Sequence, residues 1–139
     1  LRLVNDMPVN TGPETIRVNR VTQSWFEGTS NAGPAHGIGA AAAGGGATWT
    51  NRITPATPWG TAGGDFVASV SGTLSVNASG TYDSTQLGTD VQAWLDGSAN
   101  NFGWILRSDE TQANTVKRFE SREGTTPPRL VVNFTRPLP

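Results

Sequence analysis

Hydrophobic residues along this chain fall in short alternating runs cut by glycine and proline, the period-2 signature of half-buried β-strands. Leu1 and Leu3 alternate with Arg2 until Asn5, Asp6 and Pro8 break the pattern, which predicts a strand over 1–4 and then a turn. Over 15–22, Ile16 and Val18 alternate with Arg17 and Asn19. Val21 then shifts the phase by one residue, so the strand ends or bulges there. Short strands follow at 65–70, 73–77 and 81–86, separated by Gly72 and Gly80. Runs at 103–106, 115–121 and 129–134 supply the closing strands, with Pro127 and Pro128 preventing pairing just before the last. One segment, 89–96, has helical rather than strand periodicity. Leu87, Val91, Trp94 and Leu95 fall at i, i+4, i+7 and i+8, Thr89 or Asp90 is placed to cap the start, and Gly97 ends it.

Residues 28–47 contain almost nothing but Gly, Ala, Ser, Thr, Asn and Pro, with Ile38 the only large aliphatic residue. The run Ala40 to Ala43 is flanked by Gly39 and by Gly44, Gly45 and Gly46, which leaves any helix there too short to stand alone. Trp49 and Trp59 follow closely and need something to pack on, so the segment reads as a long small-residue loop within one domain rather than a linker. The 139 residues suit a single domain over 1–139, and 17 glycines with 9 prolines demand many turns and few helices. The expected fold class is therefore all-β, an antiparallel β-sandwich with one short helix and a long Gly/Ala-rich loop. The irregular strand spacing favours a sandwich over a closed barrel.

Charge changes the functional picture by subtraction. Only 15% of residues are charged and the net is −1, so no field draws in nucleic acid or an anionic membrane. The absence of cysteine removes thiolate nucleophiles and thiolate metal sites. The one histidine, His36, forms no multi-histidine site and is expected to be solvent-exposed. No apolar run approaches the length of a membrane span.

Several segments together carry a resemblance. Val91-Gln-Ala-Trp-Leu-Asp-Gly97 is followed by Asn100-Asn-Phe-Gly-Trp-Ile-Leu-Arg107, Lys117-Arg-Phe-Glu-Ser-Arg-Glu123 and Pro128-Arg-Leu-Val-Val132. Upstream lie Ser24-Trp-Phe-Glu-Gly-Thr-Ser-Asn-Ala-Gly33, Ala47-Thr-Trp49 and Thr61-Ala-Gly-Gly-Asp-Phe66. In this order they resemble DNRLRE domains, secreted modules related to the disaggregatase repeat. The resemblance implies a jelly-roll-like β-sandwich located outside the cell or at its surface, with polysaccharide binding, alginate in one group, and no catalytic residues. Members of that family usually carry further strands before the one that Leu1 to Val4 resembles. A sheet lacking those strands has an open edge that templates pairing with another chain, and a head-to-tail contact of that kind propagates into a filament.

Five tryptophans beside one tyrosine are the feature most suited to a ligand, because flat aromatic faces stack on sugar rings as well as on other apolar groups. Trp94 on the helix stripe, Trp104 beside Ile105 and Leu106, and Trp25 are expected in the core. Trp49 and Trp59 flank turn-rich sequence and are the candidate carbohydrate contacts. Among acidic residues, Glu27, Asp65, Glu120 and Glu123 are the best placed for the carboxyl pair of a glycosidase. Glu120 and Glu123, however, are interleaved with Lys117, Arg118 and Arg122, and read as ion pairs; no enzyme is expected. No cofactor is expected, and calcium is the one inorganic partner whose oxygen ligands the chain offers, at Asp83, Asp109 and Glu110, although no spacing matches a ligand loop. Gly44 to Gly46 and Gly63 to Gly64 read as turns, and Asn77 and Asn133 open N-glycosylation triplets. The expected function is a non-catalytic extracellular module that binds polysaccharide or a cell-surface glycan. The alternative is a structural subunit whose partner is a second copy of itself, as a homo-oligomer or filament completed by strand donation.

Overall fold

The computed structural model describes residues 1–7, 12–30, 40–109 and 111–135. The chain is all-β, with antiparallel strands and one short helix. In order they are β1 (Arg2–Asn5), β2 (Glu14–Arg20), β3 (Asn51–Ile53), β4 (Thr57–Pro58), β5 (Gly72–Val76), β6 (Gly80–Asp83), α1 (Gly88–Leu95) and β7 (Trp104–Arg107). They form sheets of order β1-β6, β5-β2-β7 and β3-β4. The chain divides into two compact units. Unit 1 comprises Leu1–Val18, Val70–Ala99 and the residues from Leu106 onwards, and unit 2 comprises Asn19–Ser69 and Asn100–Ile105.

Unit 1 holds most of the buried apolar side chains. Ile16 and Val18 of β2 stand in register with Leu74 and Gly72 of β5, and alternate residues of both strands are buried. Leu3, Val76 and Leu87 complete this small core, in which Val18 and Val76 are 0% exposed. β1 runs antiparallel to β6, and its Arg2 reaches across to Asp83 with two charge-assisted hydrogen bonds of 2.9 and 2.8 Å. The Arg2 guanidinium holds the Asp83 carboxyl below the usual carboxylate range. The periodicity located α1 well, but its start is not capped as expected. Leu87 occupies the N-cap position without a side-chain hydrogen bond, while Asp90 lies in the first turn, where its charge suits the helix dipole. At the other end the amide of Gly97 donates to the Trp94 carbonyl, as a glycine stop should. Of the apolar stripe only Leu87 is buried. Val91 and Trp94 are half-buried and Leu95 is 71% exposed, so the helix does not seat its whole stripe in the core.

Two expected closing strands of unit 1 take a different form. At 115–121 there is a single bridge, Phe119 opposite Asn5, flanked by hydrogen bonds from Asp6 N to Arg118 O and from Glu120 N to Val4 O. A turn closed by Gly124 N and Ser121 O then leads the chain away, and Arg129 rejoins β1 opposite Arg2 with a reciprocal pair of backbone bonds. Between the two docking points lie Pro127 and Pro128, which have no amide to give to a ladder. β1 thus receives its second neighbour in two instalments. Beyond Arg129, among the described residues, 130–135 pair with no strand.

Unit 2 is built mainly from loops. Its small-residue segment closes on itself: Ala47 N donates to Phe26 O, Thr29 N to Ala43 O, and Ser30 Oγ links Ala41 and Ala43. The two limbs run so close that a Cβ on Gly28 would lie 2.4 Å from the Ala43 carbonyl oxygen. Ala40 to Ala43 form no helix, and Gly44 and Gly45 form the expected turn. His36, Ile38 and Gly39 lie outside the described residues. The strand expected at 65–70 is reduced to one bridge, Val21 with Phe66. The reason is Asn19. Its buried Nδ2 donates to the carbonyls of Val67 (3.0 Å) and Ser69 (3.2 Å), so a side chain meets this segment where a backbone ladder would otherwise run. That same buried Asn19, directly after buried Val18, accounts for the phase shift before Val21. The hairpin of β3 and β4 had no counterpart in the hydrophobic pattern, because its strands are too short to show a period.

Leu74→Ala is expected to destabilise the protein by about 2–5 kcal/mol, the usual cost of a cavity at a filled site. Leu95→Ala should stay within about 0.5 kcal/mol, as surface substitutions do. Urea denaturation followed by tryptophan fluorescence checks both, and equal effects would contradict the assignment of the core to β2 and β5.

Candidate functional site

The tryptophans separate clearly by exposure. Trp49 is 73% exposed, while Trp59, paired with it in the sequence reading, is half-buried and donates its Nε1–H to Thr48 O at 2.9 Å. Trp94 and Trp104 are half-buried. Trp25 departs from expectation: it is 43% exposed rather than a core residue. Its segment is pinned to the hairpin surface, with Arg52 Nη1 donating to Ser24 O (2.9 Å) and Ser24 Oγ (3.0 Å) and Phe26 N donating to Arg52 O. There Trp25 Nε1 finds the carbonyl of Phe102 at 2.9 Å.

Trp49 is held from beneath by two local structures. The first is the corner leading into β3, where Thr48 N donates to Asn51 O, Asn51 N to Thr48 Oγ1, and Asn51 Nδ2 to Pro55 O. The second is the turn over 60–65. The Asp65 carboxylate accepts the amides of Gly60 (2.8 Å) and Thr61 (2.9 Å), and Gly64 N donates to Thr61 O. Gly63 joins the two, since its amide donates to the Trp49 carbonyl at 2.7 Å. It adopts φ +93°, and a Cβ there would lie 2.7 Å from Trp49 Cη2, so the benzo end of the indole rests against bare backbone. The result is an aromatic ring with a fixed floor and a free upper surface. The same turn borders a shallow depression of about 440 Å³ lined by Thr22, Gln23, Thr61, Asp65 and Phe66.

Two of the acidic candidates have structural duties. Asp65 holds the turn. Glu123 bonds Arg122, which keeps its carboxyl below the usual range, and Arg118 turns to Asp6 at 2.7 Å. Glu120 and Glu123 belong to unit 1, Glu27 and Asp65 to unit 2. Of the calcium candidates, Asp83 is bound to Arg2. Asp109 accepts Thr111 N (3.2 Å) and Oγ1 (3.0 Å) with Arg17 at 3.8 Å, and these contacts hold its carboxyl low. Glu110 lies outside the described residues. Among the described residues no three His, Cys, Asp or Glu side chains gather where they would hold a metal ion, and no helix is long and apolar enough to cross a membrane. Asn77 and Asn133 are both exposed.

Unit 1 carries a separate feature, an open groove of about 820 Å³ lined by Leu1, Leu87, Val91, Leu95, Val132 and Phe134 among others. Comparison with known proteins gives no match to any family model, curated protein or solved structure.

Sequence reasoning located Trp49 from its turn-rich flanks but missed the glycine floor. The signal was Gly63 and Gly64 directly before Asp65, a spacing suited to a side-chain-braced turn. Gly63→Ala is expected to cost about 1–2 kcal/mol for a left-handed alanine. It should also shift the Trp49 indole N–H resonance in a two-dimensional NMR spectrum, and an unmoved resonance would mean that the ring does not rest on the turn.

Proposed function

We propose that this chain is a non-catalytic extracellular module, a β-sandwich of the DNRLRE type, that binds polysaccharide or a cell-surface glycan through Trp49. The observation that carries this reading is an indole 73% exposed to water yet backed by the Gly63 backbone. A sugar ring presents apolar C–H groups on its faces, and an exposed aromatic surface gains by covering them. A platform already fixed by its turn loses little conformational freedom on binding, so more of the stacking appears as affinity. Trp59 supports the platform rather than touching the ligand, through its bond to Thr48 O. Trp49→Ala should weaken binding by about tenfold or more, equivalent to about 1.4 kcal/mol. Trp49→Phe should retain part of it. A glycan array followed by calorimetry checks this, and equal binding by wild type and Trp49→Ala would overturn it.

A second reading is favoured by a different observation. Leu130, Val131, Val132 and Phe134, which line or adjoin the groove of unit 1, are 46%, 68%, 44% and 79% exposed. An extended apolar segment without a paired strand is a template for β-augmentation. On this reading the chain is a structural subunit, and a strand of a second copy covers 130–134 to build an oligomer or filament. Light scattering over a concentration series should then show growth that Val131→Lys suppresses, whereas a monomer at every concentration would remove this reading.

A further inference from the structure

We propose that the ligand taken at Trp49 is a neutral polysaccharide, not a polymer of uronic acids; this rests on the binding function argued above and specifies its substrate class. Charge is distributed very unevenly between the two units. Of the 21 charged residues of the chain, unit 2 has only Arg20, Glu27, Arg52 and Asp65. Its net charge is zero, and the only lysine of the chain, Lys117, belongs to unit 1.

The two charged groups closest to the platform in the chain have fixed roles. Arg52 spends Nη1 on the carbonyl and hydroxyl of Ser24. Asp65 is the one charge on the turn that floors the ring, and it is an anion. Arg20 and Glu27 are each engaged with other groups as well.

A uronic-acid polymer carries one carboxylate per residue. Taking such a group from water is costly unless a guanidinium or ammonium receives it, and bidentate arginine forks are the usual device. The side chains flanking Trp49 in the chain and on its turn are instead the neutral Thr48, Thr50, Asn51 and Thr61, of which the first three are bonded to one another and to Pro55 O. Thr61 faces the depression beside Asp65. This set suits sugar hydroxyls above an apolar ring face, and the Asp65 carboxylate repels an acidic chain laid along the same turn. Binding at such a site is insensitive to salt, because no counterions are exchanged.

The test is native affinity electrophoresis of the full chain in gels containing soluble β-glucan, galactomannan or xyloglucan, and in parallel alginate or polygalacturonate, each at low and high salt. Retardation by at least one neutral polymer is expected, unchanged by salt and weakened roughly tenfold in Trp49→Ala. Thr61→Lys, which adds a cation to the turn without touching the ring's floor, should bring in retardation by the acidic polymers. Wild-type retardation by alginate or polygalacturonate as strong as by any neutral polymer, and lost in Trp49→Ala, would overturn the neutral class while leaving the binding function standing. Absence of retardation by every polymer would overturn the binding function itself, and this inference with it.

Discussion

A side-chain amide taken out of water needs partners, and two buried asparagines organise this chain through the backbone carbonyls that their Nδ2 groups bind. Asn5 is 1% exposed. Its Nδ2 donates to the carbonyl of Ala78, and its Oδ1 accepts the amides of Met7 and Arg118. One residue near the start of the sequence therefore fixes the corner between β5 and β6 and the segment that docks on the free side of β1. In unit 2 the Asn19 Nδ2 donates to the carbonyls of Val67 and Ser69, while its Oδ1 is buried without a hydrogen-bond partner. Removing either amide leaves several backbone groups unsatisfied at once, which is costlier than losing one hydrogen bond.

The two units use these amides against different backgrounds. In unit 1, Asn5 sits beside a conventional core of branched aliphatic residues on β2 and β5, and the amide adds specificity to what apolar packing already holds. In unit 2 there is little apolar packing to fall back on. Val21 is its one buried large hydrophobic among the described residues, and the loops are held by backbone bonds between glycine- and alanine-rich limbs and by Asp65 and Asn51 bracing their own turns. That economy of bulk leaves Trp49 at the surface, since its neighbours are too small to enclose it.

Much of the fold was legible in the sequence where a period survives for four or more residues. β1, β2, β5, β6, β7 and α1 all lie close to their expected positions, because alternation or helical spacing directly encodes which side faces inward. What failed to show were the places where side chains replace ladders. The segment 65–70 looks like a strand until Asn19 is known to occupy its carbonyls, and 115–121 looks like one until the Asn5 Oδ1 is known to take the amide of Arg118. Asn5 read as a turn residue, which is what asparagine usually is. Among the tryptophans, the exposure of Trp49 was foreseeable from its flanks. That of Trp25 was not, because it depends on Arg52 gripping Ser24 from 28 residues away.

The limbs at 26–30 and 41–47 bear on how the protein responds to temperature. Unfolding raises heat capacity mainly by wetting apolar surface, while wetting peptide groups lowers it. Limbs joined backbone to backbone, with Phe26 their one large apolar side chain and that one 58% exposed, contribute peptide groups and little apolar area. The curvature of the stability of this protein with temperature therefore comes from apolar packing outside these limbs, the core around β2 and β5 above all. The limbs themselves respond more nearly as an assembly of hydrogen bonds, whose strength changes little as the hydrophobic contribution weakens in the cold.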